Sequence, residues 1–229
     1  MNITDEELLM LEHLTYLNSE VAAKAGVEKF NNVNADDFKG KSVYKILEKF
    51  DSTAIANLEA KGDEPLAAEG SGYEWAQIIK YLQNNTRLNK LVLTETMETP
   101  KGVPLALCFT DGTPDTREAI IAFKGTTGGD EWSDNVEGAI LRDTPDQIEA
   151  LEFVQGLPYA DITLTGHSKG GNKANYITIL CDKVTRCVGF DPQGFSQLFL
   201  NDPKYSKRIE ERASLIKNYS LSTDFVHIL

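Results

Sequence analysis

The sequence predicts an α/β fold, a mostly parallel sheet with helices on both faces, preceded by a helical N-terminal cap. Three observations carry this reading. From about residue 145 onward, helical apolar stripes alternate with short strand-like runs, the order expected when each crossover between parallel strands is a helix. The six residues Gly166-His167-Ser168-Lys169-Gly170-Gly171 join one such strand pattern to one such helix pattern. The first 90 residues carry helical periodicities and no chemical motif.

Taken in order, Thr4 followed by Glu7 has the spacing of a capping box, and Leu8, Leu11, Leu14 and Leu17 then repeat at helical spacing, so the chain opens with an amphipathic helix. A second helix is expected near Val43 to Phe50 and a third around Tyr73 to Gln83, ahead of the polar Asn84-Asn85-Thr86. Residues 1–90 therefore read as a cap or packing layer of the same domain. Strands follow at Leu91–Thr96, Pro104–Phe109 and Glu118–Phe123, separated by Pro-Lys-Gly and Asp-Gly-Thr-Pro turns. The alternation then runs through a helix from Pro145 to Gln155, a strand at Asp161–Thr165 and a helix striped by Ala174, Ile177 and Cys181. A strand at Val184–Phe190, a helix near Lys204 to Arg212 and a strand at Leu215–Tyr219 complete it.

Composition excludes several function classes. The 229 residues suffice for a core that needs no staples. Cys108, Cys181 and Cys187 are odd in number and lack C-x-x-C spacing, so reduced, buried thiols are expected rather than disulfides or zinc. The N-terminus lacks the basic start and apolar run of a signal peptide and no stretch is long and apolar enough to span a bilayer, which predicts a cytoplasmic protein. A formal net charge of −12 repels nucleic-acid backbones and anionic membrane surfaces, so neither is an expected partner. No cofactor or metal is expected. Gly40-Lys41-Ser42 has Ala35 where a phosphate loop needs its first glycine, G-x-G-x-x-G is absent, and His13, His167 and His227 show no ligand spacing. Asp130, Glu131, Asp134 and Glu137 read as a solvated acidic stretch.

The chemistry lies at Ser168. A serine between Gly166 and Gly170, at a strand-to-helix turn, occupies a nucleophile elbow, where strained backbone angles and close approach of neighbouring main chain leave no room for flanking side chains. The turn also places Ser168 at the positive end of the following helix, where the Lys169 N–H can face a developing oxyanion. The Lys169 side chain either adds positive charge there or points to solvent.

In this pattern the chain resembles the class 3 lipases of the α/β-hydrolase fold, and within them a bacterial branch with GHSKGGN at the elbow. Phe123-Lys124-Gly125-Thr126 is similar to the family's F-R-G-[ST] strand end, and Thr223-Asp224-Phe225-Val226 to its D-P-V segment. Trp132, six residues after Thr126, matches the lid-region tryptophan. The resemblance spans roughly Leu91 to the C-terminus and marks 91–229 as the hydrolase core. It implies that the Thr126 N–H is the second oxyanion donor opposite that of Lys169, and that Asp224 is the triad acid. Asp191, directly after the strand ending at Phe190, is the alternative acid or else a loop residue capping Gly194.

The base is the departure. The order of such a triad is Ser, acid, His, with the histidine normally tens of residues beyond the acid, and this sequence stops five residues after Asp224. His227 is the candidate base within the chain, although it aligns with the position after D-P-V; His167 precedes the nucleophile and is expected to point away from it. Two alternatives stay open: the base and its C-terminal segment lie beyond Leu229, or ordinary triad catalysis is lost. The expected function is a serine hydrolase that cleaves a carboxylic ester of a small molecule or lipid through an acyl-enzyme on Ser168. The alternative is a catalytically inactive hydrolase-like binding domain, and acyl transfer or peptide hydrolysis remains open on the same elbow.

Overall fold

The computed structural model describes residues 1–34, 36–66, 70–125 and 143–220. The chain divides into two compact units, Met1–Thr116 and Arg117–Leu229. In the first, helix α1 (Asp5–Leu14) starts at the expected capping box: Glu7 N–H donates to Thr4 Oγ1 at 3.2 Å and Thr4 N–H to Glu7 Oε2 at 2.8 Å. Leu8, Leu11, Leu14 and Leu17 are all fully buried, as their spacing predicts. His13 is half-buried, its Nδ1 3.0 Å from Leu9 O. Helices α2 (Ser19–Ala25), α3 (Val43–Leu47), α4 (Ser52–Glu59) and α5 (Gly72–Asn84) follow, with a two-residue pair of strands, β1 (Pro65–Leu66) and β2 (Gly70–Ser71), before α5. The unit ends in an antiparallel hairpin of β3 (Val92–Glu98) and β4 (Pro104–Thr110).

Sequence periodicity missed α2 and α4 because both are short and each buries only three side chains, two of them alanine in α2 and one in α4. Their boundaries lay instead in the caps: Asn18 accepts from the N–H groups of Glu20 and Val21, and Asp51 from that of Ala54. The helix expected to reach Phe50 stops at Leu47.

Glu7 is also an acid-sensitive joint of this unit. Burial raises its pKa, but hydrogen bonds from Thr4 N–H, Asn85 Nδ2 at 2.7 Å and Arg87 Nε at 2.9 Å outweigh that and hold the carboxyl below the ordinary range. A folded pKa below the unfolded value of about 4.3 contributes stability that is present above that pH and lost as pH falls through the folded value. Thermal unfolding between pH 6 and 3 should therefore show a fall in Tm below pH ~4 that is smaller in Glu7→Gln.

The second unit carries the parallel strands. β5 (Glu118–Phe123), β6 (Asp161–His167), β7 (Val184–Phe190) and β8 (Ile216–Tyr219) pair in that order, every pair parallel. The class is thus α/β with a mostly parallel sheet, as the alternation predicts. Helices α6 (Pro145–Gly156), α7 (Lys169–Leu180), α8 (Gln197–Leu200) and α9 (Pro203–Arg212) lie between strands. The last strand starts one residue later than expected because Ala213–Leu215 forms a 3₁₀ turn. α7 packs against β6, β7 and α6, and ten of its twelve residues are buried. Arg212 of α9 satisfies its C-terminal end, Nε donating to Thr178 O at 2.6 Å and a terminal nitrogen to Cys181 O at 2.8 Å. All three cysteines are free and buried, and burial pushes the Cys108 and Cys187 thiols up to about 12, which keeps them protonated and inert.

Candidate active site

Register brings the carboxyl ends of four strands together: Phe123 lies opposite Gly166, His167 opposite Phe190, and Phe190 opposite Tyr219. In an open parallel sheet this edge is where ligands bind. Ser168 follows β6 directly and has φ 52° and ψ −122°, a left-handed conformation that L-residues rarely hold. Its N–H donates to Phe190 O at 3.0 Å, and its carbonyl accepts from Asn172 N–H at 3.0 Å and Gln193 N–H at 3.1 Å. The main chain is thus held from both sides, while the side chain makes no capping bond to α7. The N–H groups preceding that of Asn172 project from the helix N-terminus, the positive end of its dipole.

The glycines explain how so sharp a turn fits. A Cβ on Gly166 would stand 2.4 Å from Gly170 C, and one on Gly170 2.3 Å from Phe123 O and 2.8 Å from Lys124 O. One on Gly171 would stand 2.8 Å from Pro192 Cβ. The elbow therefore folds on itself, rests on the end of β5 and touches the turn after β7. Gly170→Ala is expected to lower unfolding free energy by about 1–3 kcal/mol through this overpacking, whereas Gly156→Ala, with open space at its Cβ position, should be near neutral; urea denaturation of both variants measures the difference.

Of the expected site residues, Ser168 and Lys169 stand at the elbow. Asp191 directly follows β7, half-buried at φ 42°, with its N–H donating to Tyr219 O at 2.7 Å. Thr126, Trp132, Asp224 and His227 lie outside the described residues, as does the acidic stretch from Asp130 to Glu137. The Lys169 side chain is not a solvent-facing one. It is mostly buried and its Nζ lies 2.8 Å from Asp146 Oδ2, with Lys173 Nζ at 3.7 Å from the same oxygen. Burial raises the Asp146 pKa, but the two lysines outweigh it and hold the carboxyl below its ordinary range.

Sequence reasoning missed the residues that hold this corner. Asn172, the last letter of GHSKGGN, is buried, donating from Nδ2 to Gln193 O at 3.1 Å and Gly194 O at 2.9 Å, and its Oδ1 accepts from Gln147 Nε2 at 2.6 Å. Gln147 belongs to the capping box that starts α6, with Thr144 N–H donating to its Oε1 at 2.8 Å. The Thr144-x-x-Gln147 spacing was the signal available for that cap. Beside it, the Asp143 carboxylate accepts from the hydroxyls of Tyr176 at 2.9 Å and Tyr205 at 3.1 Å, tying the start of α6 to α7 and α9. Among the described residues no group of three or more His, Cys, Asp or Glu could hold a metal, and no helix is long and apolar enough to cross a membrane.

A glycine-bound serine at the strand–helix junction of a parallel sheet is the arrangement of lipase-like hydrolases. The Tle-like phospholipase domain, a phospholipase-like family, matches residues 47–229, so the chain belongs to that family. Among solved structures, one described as the crystal structure of M37 lipase matches with a TM-score of 0.48 and 13% identity, covering 99% of this chain and 70% of that one. No curated protein matches.

Proposed function

We propose that this protein is a serine hydrolase that cleaves the carboxylic ester of a lipid, a phospholipid foremost, through an acyl-enzyme on Ser168. The observation that carries the reading is the conformation of Ser168 between glycines whose missing side chains let the turn close against Phe123, Lys124 and Pro192. Membership of a phospholipase-like family supports the lipid ester as substrate class. In this mechanism the Ser168 hydroxyl attacks the acyl carbonyl carbon and the charge that forms on its oxygen is met by the main-chain N–H groups of Lys169 and Thr126. Asp224 orients the histidine that takes the serine proton, with His227 the candidate in this chain. The alcohol half leaves with that proton, and water then releases the acid.

Incubation with phosphatidylcholine vesicles, followed by mass spectrometry of the products, tests the substrate class. Free fatty acid and lysophospholipid are expected. Release of a phosphorylated head group, or no product from phospholipid or simple esters, contradicts it.

A further inference from the structure

We infer that Asn172 is a positioning residue that holds the turn from Asp191 to Gly194 in register with the Ser168 hydroxyl, a role that rests on Ser168 being the nucleophile. The amide's orientation is fixed by a directional chain. Thr144 N–H donates to Gln147 Oε1, which leaves Gln147 Nε2 as the donor to Asn172 Oδ1, and that in turn aims Asn172 Nδ2 at the carbonyls of Gln193 and Gly194. The turn so held is in direct contact with the nucleophile's backbone: Gln193 N–H donates to Ser168 O, and Pro192 packs where Gly171 has no side chain. Asn172 and Gln147 are each only 4% exposed, so water does not substitute for a lost bond without reorganising the corner. Asn172 thereby links three elements, the start of α6, the first turn of α7 and the turn after β7. Any slip between them displaces the Ser168 hydroxyl relative to a bound carbonyl.

Asn172→Asp separates this role from packing. It keeps the volume and the acceptor facing Gln147, but sets a carboxylate against two carbonyls and removes both donors. The rate constant for labelling Ser168 by a fluorophosphonate probe at pH 8, normalised to the fraction folded by circular dichroism, is expected to fall roughly 10- to 100-fold, as displacements near 1 Å do. Gln147→Met leaves both Asn172 donors in place and removes the bond that orients the amide, together with the bond from Thr144 N–H; it should lower the rate in the same direction by less, and it carries the test if Asn172→Asp does not fold. A folded Asn172→Asp or Gln147→Met protein labelled at the wild-type rate overturns the role of Asn172 alone. Absence of labelling in wild-type protein overturns the nucleophile assignment, and this role with it.

Discussion

Ser168→Ala is expected to lower ester hydrolysis by on the order of 10⁴- to 10⁶-fold, as removal of an activated nucleophile does in serine hydrolases, while leaving the fold in place. The second half of that expectation follows from the local geometry. The Ser168 side chain does not cap α7, and the turn is held through its N–H and carbonyl, which alanine keeps. Alanine bears the same backbone strain at φ 52° as serine, so the midpoint of urea unfolding should shift little. A large loss of stability in Ser168→Ala would mean that the hydroxyl serves the fold.

Asp224→Asn should produce the next largest loss, about 10⁴-fold in kcat, because an amide in place of the proposed triad acid favours the wrong histidine tautomer. Asp191→Asn is expected to cost less than about tenfold on the same measure, since an amide at a position outside the proposed triad leaves the histidine's tautomer unchanged. The main chain at Asp191 has an architectural task that asparagine also performs: it turns at φ 42°, where Asn is well tolerated, and its N–H closes on Tyr219 O. Steady-state kinetics on one soluble ester ranks the two carboxylates. The reverse ranking assigns the acid to Asp191.

Legibility in the sequence followed the length and regularity of each signal. The leucine stripe of α1, the capping box at Thr4 and the four parallel strands were readable because each combines a period with a boundary. α2 escaped because Val21, Ala22 and Ala25 bury little apolar surface for a period to reveal. At the candidate site, the sharp turn at Ser168 was legible because three glycines mark its steric demand. Asn172, Gln147 and Asp146 were not, because their roles depend on partners between about 20 and 30 residues away. No local spacing announces that Asn172 faces Gln193 and Gly194, or that Lys169 turns to Asp146. Lys169 shows the limit well: its place at the start of α7 follows from the strand-to-helix turn, whereas its ion pair depends on where α6 begins.

The proposed function requires one serine oxygen activated for attack at the carboxyl ends of the parallel strands. Treatment of wild-type protein and Ser168→Ala with a fluorophosphonate, followed by peptide mass spectrometry, tests it most directly. A single covalent adduct is expected on the peptide containing Ser168 in wild-type protein and none in the variant. An unmodified wild-type protein, or equal modification of both, contradicts it.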